Sequence, residues 1–310
     1  MKKIILFLLT IIILVSLNKF YNSDITSSTK QELKIFKNIL DINGNIEFIK
    51  VSKNNETTLL KKNKNWEIFE LGNYFAVNSS ILSMLKDINT SKVLDKYDVN
   101  DKNKTILGFN KDNNTKISLK NKIEKNIFIG NTNEKLGYSY VLFENFIYKL
   151  SGNFNYSDKN FFWAQKMILD IGIDFITNVK VVNSKSSFSF SNVNDNFLMG
   201  SPKIKVKRDK AYSILNSFSD LYSENIIYPK VIPKKNYKQI KVVLYLIDGV
   251  VINITIFQKD HLNYLNIDSI KKGHSLLFDS YMTRFDKEWT YVIPNLVFEN
   301  LSIPKSDLIN

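Results

Sequence analysis

The 310-residue chain has no cysteine. That one absence excludes disulfides, thiolate metal sites, cysteine nucleophiles and a lipoprotein anchor together. Histidine occurs only at positions 261 and 274, on separate predicted elements and in neither an H-E-x-x-H nor an H-x-H arrangement, so each reads as a surface or strand residue. Arginine occurs only at 208 and 284, so the formal charge of +13 is carried by lysine. Bidentate reading of phosphates and guanine edges leans on arginine, and no recognised nucleic-acid motif accompanies the charge. The joint excess of Lys, Asn and Ile fits an AT-rich coding sequence instead. None of the ten glycines falls in a G-x-S-x-G elbow, a phosphate-binding G-x-x-x-x-G-K-[ST] loop or a G-x-G-x-x-G turn after a strand. A calcium loop starting at Asp98 fails, because its sixth position is Asn103 rather than glycine and its twelfth is Phe109 rather than an acid. Asp170 and Asp174 share one side of a possible helical turn but read as ordinary solvated acids. No catalytic, cofactor-binding or metal-ligating residue is assigned, and no cofactor is expected.

What the chain does contain is 44% hydrophobic residues, enough for a substantial core in one or two domains. It opens with Met1, Lys2 and Lys3 followed by the charge-free run IILFLLTIIILVSL (4–17). About fourteen residues at 1.5 Å rise cover roughly 21 Å, and continuing through Lys19 to Phe20 and Tyr21 gives roughly 27 Å, close to a bilayer core. Lys19 can snorkel, the aromatics suit the interface, and SLNKFYNSD offers no small-residue cleavage site. The expectation is an uncleaved transmembrane anchor over residues 1–21, with a cleaved signal peptide as the alternative, Lys2 and Lys3 holding the N-terminus inside and the remainder exported. A polar stalk over 22–43 follows.

The centre of the pattern is residues 66–94, read as a strand led by Trp66, an amphipathic helix and a second strand. Ile81, Leu82, Leu85 and Ile88 form the helical stripe, with Asn78 or Ser79 placed to cap it. A second copy lies 131 to 133 positions downstream: a strand over 195–200, a helix over 209–222 capped by Asp209, and a strand over 224–229. Its stripe is Ile214, Leu215, Phe218 and Leu221, joined by Ala211 and Tyr222. Phe197 takes the part of Trp66.

Alternating segments at 46–53, 56–63, 115–121, 125–130, 137–144 and 146–151 predict an antiparallel meander in the first unit, with 97–114 as a polar loop and FFWAQKMI (161–168) as a closing helix. Phe161, Phe162 and Trp163 offer a contact patch, though a core role is expected for at least two. In the second unit strands are expected at 178–183 and 187–193, at 202–210 with Lys203, Lys205 and Lys207 on a solvated face, and in a hairpin over 239–257 turned by Asp248-Gly249 as type I′. Segments 264–268, 274–282 and 288–301 echo the last strands of the first unit, and a loose tail follows. The fold class expected is α+β: two related units, each a mostly antiparallel β-sheet with one amphipathic helix packed on a face, preceded by an N-terminal membrane helix. The units span 44–175 and 176–302, with 303–310 as tail.

Trp66, Ala76 ahead of the helix, Leu107-Gly108, Ile129-Gly130 and Tyr140 together resemble the bacterial family called domain of unknown function 4340. That family's pattern has a Trp-led strand, a "pAd" step, a "yGl" turn, an "iG" strand end and a "yv" strand; here Val77-Asn78 stands where Asp is usual and Ile106 where Tyr is usual. The resemblance covers residues 46–183 well and the second unit weakly. It implies a membrane-anchored exported protein associated with a gliding-motility-type ABC transporter, and no catalytic residues. The expected function is therefore a non-enzymatic accessory protein of the cytoplasmic (inner) membrane, single-pass, with its C-terminal domain periplasmic or otherwise extracytoplasmic. Its expected partners are an ABC permease and its auxiliary subunit, bound through strand edges or the face between the repeats, with no nucleic acid. The alternative is a cell-envelope hydrolase with carboxylate catalysis, marked by two buried carboxylates about 5–9 Å apart in a cleft.

Overall fold

The computed structural model describes residues 46–54, 56–109, 114–121, 123–271, 273 and 288–309. The expected anchor and stalk, the segment 274–282, His274 and Arg284 lie outside the described residues. The chain divides into two compact units, Met1–Glu70 with Ala76–Trp163 and Leu71–Phe75 with Ala164–Asn310.

In the first unit β1 (Phe48–Lys53) and β2 (Glu56–Lys62) form a hairpin turned at left-handed Asn54, and β3 (Trp66–Ile68) extends it. After β4 (Tyr74–Phe75), which is counted with the second unit, comes α1 (Asn78–Thr90), and then β5 (Val93–Asp98) and α2 (Asp101–Ile106). Strands β6 (Thr115–Lys120), β7 (Glu124–Asn133), β8 (Tyr138–Phe143) and β9 (Phe146–Ser151) and the short α3 (Asn160–Trp163) complete it. The sheet runs β3-β2-β1-β6-β7-β8-β9-β5, antiparallel at each pairing. Period-2 alternation decides its inner face: Ile49, Val51, Ile117, Ile127, Ile129, Val141 and Phe143 are buried while their strand neighbours vary.

The second unit contains β10 (Met167–Leu169), β11 (Ile176–Val182), β12 (Ser187–Val193), β13 (Asn196–Met199), β14 (Ile204–Lys205), α4 (Arg208–Ser219), β15 (Leu221–Tyr222) and β16 (Asn225–Ile227). It continues with β17 (Lys238–Leu246), β18 (Val251–Lys259), β19 (Leu262–Lys271), β20 (Thr290–Ile293) and α5 (Asn295–Leu301). Its main sheet runs β14-β13-β12-β11-β17-β18-β19-β20-β16, and β10 pairs with β15 apart from it. From β13 onward this is, strand for strand, the order of the first sheet. The class is α+β, two mostly antiparallel sheet units with few helices.

The burial patterns correct the expected alignment by one helical turn. In α1 the buried residues are Ile81, Met84, Leu85 and Ile88, and in α4 they include Ala211, Ile214, Leu215 and Phe218, a constant offset of 130 positions. Leu82, expected on the stripe, is exposed at 52%. Leu221 is buried and Tyr222 exposed, but both belong to β15 rather than to the helix.

The helices are also not capped as expected. Asn78 is already helical, the residue before α1 is Val77, and the residue before α4 is Lys207, neither offering a side-chain cap. Instead the Val77 amide donates to the Trp163 carbonyl at 2.7 Å and the Lys207 amide to the Leu308 carbonyl at 2.8 Å. Both helix entries are thus fixed by the last segment of their own unit, and Asp209 is left to face the positive end of the α4 dipole.

Other local expectations shift for similar reasons. Strand β5 runs on to Asp98, and α2 occupies part of the expected polar loop because Asn100 accepts the Asn103 amide at 2.8 Å as an N-cap. The 161–168 segment is helical only to Trp163 and then becomes strand, and 288–301 is strand followed by helix. Of the 202–210 strand only Ile204–Lys205 joins the sheet, and Ile204 is exposed at 45%. Asp248-Gly249 is not a type I′ turn: only Gly249 is left-handed (φ 80°), and the Leu246 amide meets the Val250 carbonyl at 2.9 Å across a three-residue loop. Among the described residues, the two-residue hairpin turns with both central residues left-handed are Asn194-Asp195 and Asp260-His261. The tail is not loose. Leu308 is fully buried, Val206 bridges Ile309, and Asn183 Nδ2 donates to the Leu301 and Ile303 carbonyls at 2.9 and 3.1 Å.

Candidate interaction surface

In both units the crossover from the edge strand back to the sheet centre packs onto the sheet, and the two crossovers do it with different chemistry. In the second unit residues 228–237 cover Phe257, Tyr264 and Val292 with Val231 and Tyr237. They are tied there by amide and hydroxyl bonds: Val231 N–H to Thr290 Oγ1 at 2.8 Å, and Asn266 Nδ2 to the Val231 carbonyl at 2.9 Å. In the first unit the crossover is an apolar plug. Leu107 and Phe109 are buried with Ile147, and Tyr97, Val99, Phe128, Tyr140 and Leu142 pack around them.

Two glycines let this plug reach the sheet. A Cβ on Gly130 would lie 2.3 Å from the Leu107 carbonyl oxygen, and one on left-handed Gly108 (φ +84°) would lie 2.8 Å from the Asn131 amide nitrogen. At that distance the Asn131 amide donates to the Leu107 carbonyl at 2.8 Å and Asn131 Nδ2 to the Ile106 carbonyl at 3.1 Å. Residues far apart in sequence therefore form one joint.

Beside the plug, β5, β9 and β8 present a half-exposed row of tyrosines. Registry places Asp95 opposite Lys149 and Lys149 opposite Tyr140, while Tyr97 faces Ile147 and Tyr138 faces Ser151. Tyr97 and Tyr140 meet edge-on with centroids 6.0 Å apart, Tyr140 and Tyr138 at 5.5 Å, and Lys149 Nζ lies 4.0 Å from the Tyr138 ring centroid. A hydrogen bond to the Asp95 carboxylate, helped by burial, pushes the Tyr97 hydroxyl above its ordinary pKa. Burial raises Tyr140, and its neighbour Tyr138 adds to the rise. The Tyr97 and Tyr140 phenols are thereby held in their neutral, donor form.

The edge of this sheet is blunted. A register irregularity interrupts β5 between Val93 and Asp95, the Lys96 amide is taken by the Asp95 carboxylate at 2.8 Å, and the Asp98 carbonyl is taken by Asn103 Nδ2 at 2.9 Å. A strand adding to this edge would have to displace those bonds. On the side-chain face the plug packs against Tyr97 and Tyr140 and leaves the row half-exposed.

The residues singled out from sequence fall elsewhere. His261 is an exposed turn residue (φ 65°), and Asp170 and Asp174 are exposed. Asp98 ends β5 and Asp101 begins α2, so the calcium spacing is broken across a strand end and a helix. Trp163 is fully buried and donates Nε1–H to the Ser157 carbonyl at 2.8 Å, whereas Phe161 is half-buried and Phe162 exposed; one of the three aromatics joins the core rather than two. Lys203 and Lys205 are exposed. Among the described residues the buried polar side chains are Ser, Thr and Asn, with no aspartate or glutamate. Sequence reading missed the tyrosine row and Asn131, although tyrosine at 138 and 140, two apart on a strand, is a signal that both lie on one face.

A family model matches residues 43–241, which takes in the plug, the tyrosine row and the first half of the second sheet. The chain belongs to the family described as Domain of unknown function (DUF4340). No curated protein and no solved structure matches it. In this DUF4340 protein the motif residues are joints between elements: the Ala76 amide donates to the Trp66 carbonyl at 2.9 Å, and Leu107-Gly108 closes onto Ile129-Gly130. The second unit repeats the first of these, with the Val206 amide on the Phe197 carbonyl at 2.9 Å.

Proposed function

We propose that this DUF4340 protein is a non-enzymatic, membrane-anchored exported accessory protein that binds partner proteins, as an auxiliary component of an ABC-transporter-type complex. Its two units are a duplicated α+β module, each with one amphipathic helix on a sheet face, held outside the cytoplasmic membrane by the N-terminal segment. The observation that carries the binding role is the half-exposed row Tyr97, Tyr140, Tyr138 and Lys149 on a sheet whose β5 edge is blunted. Tyrosine supplies apolar contact area with a hydroxyl that remains a donor, which is why it is enriched in binding interfaces. The uncharged buried polar groups fit a scaffold better than a carboxylate-based hydrolase. The class of partner comes from the family resemblance.

Photo-crosslinking in native membranes tests the proposal. A photoreactive phenylalanine at position 138 or 140 of the full chain is expected to capture a permease or its auxiliary subunit repeatedly, and one at exposed Val193 is expected not to. Equal capture from both places, or hydrolysis of cell-envelope polymers by the purified protein, would overturn it.

A further inference from the structure

A cleft of about 430 Å³ opens at the plug, lined by Val99, Phe109, Phe128 and Leu142 and rimmed by Lys104 and Glu144. Its volume is in the range of small-molecule sites, which combine an apolar lining with a few polar groups that orient the ligand. Among the described residues the acid on the rim is Glu144, which lies 3.4 Å from Lys125 and pairs with it. Lys116 stands over the Phe128 ring at 5.7 Å, and Lys104 projects from α2, with no ion pair to it among the described residues. The floor is rigid for the reason the plug is: Phe109 follows the glycine joint directly, and Phe128 and Leu142 are cross-strand partners in the β7–β8 register.

We propose that this cleft binds a small amphipathic acid, an aryl or short alkyl carboxylate whose apolar body lies against Phe109, Phe128 and Leu142 and whose carboxylate faces Lys104. A neutral body alone would leave the Lys104 ammonium unpaired beside an apolar surface, and a cation would meet Lys104 and Lys116. The inference does not rest on the protein-binding role of the tyrosine row, since none of those tyrosines lines the cleft.

Fluorine NMR tests it with the full chain in lipid nanodiscs, with empty nanodiscs as blank. The probe is 4-fluorophenylacetate, and 4-fluorophenylacetamide is its uncharged counterpart. Protein-loaded discs are expected to broaden the acid's signal beyond the blank, with at least fivefold weaker apparent affinity for the amide. Lys104→Gln should reduce binding of the acid to the level of the amide, and Val99→Trp, which fills the cleft, should abolish binding of both. Lys104 is a surface position, so its variant keeps the test valid even where Val99→Trp fails to fold. Equal binding of acid and amide, indifference to Lys104→Gln, or broadening no greater than in empty discs would overturn the proposal.

Discussion

Replacing Gly130 by alanine adds one methyl group where β7 meets the backbone of the plug. Its Cβ would sit 2.3 Å from the Leu107 carbonyl oxygen and 2.9 Å from the Phe109 ring. The ring can tilt, but the carbonyl is backbone and is held by the Asn131 amide at 2.8 Å. Relief therefore requires either a shift of β7 or withdrawal of the plug. Overpacking of this kind costs about 1–3 kcal/mol, and a lost backbone hydrogen bond adds about 0.5–1.5 kcal/mol. The expected loss is about 2–4 kcal/mol, bounded above by the burial of Leu107 and Phe109, each worth about 1.5–3 kcal/mol. Gly137→Ala is the control: it is left-handed (φ +65°) with nothing within 4 Å of its Cβ, so it pays only the backbone preference of about 1–2 kcal/mol. Hydrogen exchange read by mass spectrometry separates the regions. Gly130→Ala should speed exchange in peptides covering 99–109 and 124–133 while leaving 238–259 unchanged, because local opening reports local stability. Unchanged protection at 99–109, or loss no larger than in Gly137→Ala, would refute the glycine joint.

Trp66 and Phe197 are both buried at matching strand positions, so Trp66→Ala and Phe197→Ala should each cost about 3–5 kcal/mol, read as lowered stability of the unit concerned. Deleting residues 303–310 removes fully buried Leu308 and the carbonyl that anchors the entry of α4, and should cost about 2–5 kcal/mol, with the loss of protection at 208–219 as the local sign. Tyr97 has its pKa raised from 10.0, first by its bond to Asp95, so in alkaline titration it should ionise above that value. The neutral phenol is the form the fold prefers; the stabilisation is complete below pH 10 and is lost as pH rises further through the folded-state value. Asp95→Asn should bring Tyr97 back towards its ordinary titration, followed by carbon NMR of labelled tyrosine; no change would remove Asp95 as the cause.

The sequence by itself determined the class of this fold and most of its strands, because period-2 alternation in runs such as KVVLYL and a 3.6-residue stripe after a polar start are local properties of the chain. It also determined that the arrangement occurs twice, and the family, through Trp66, Ala76, Leu107-Gly108 and Ile129-Gly130. Tertiary structure decided the register of that repetition. Ile81 can be aligned with Ile214 or with Ala211, since both give an apolar stripe, and only burial of Met84 in place of Leu82 selects the second. It decided the helix entries as well, where carbonyls of Trp163 and Leu308 do what Asn78 and Asp209 were positioned to do, a choice made by groups more than eighty residues away in the chain. The candidate surface was hidden for the same reason. Asp95, Tyr97, Tyr138, Tyr140 and Lys149 become neighbours only when β5 pairs with β9 and β9 with β8, and the glycines at 108 and 130 show their purpose only once the plug lies on the sheet.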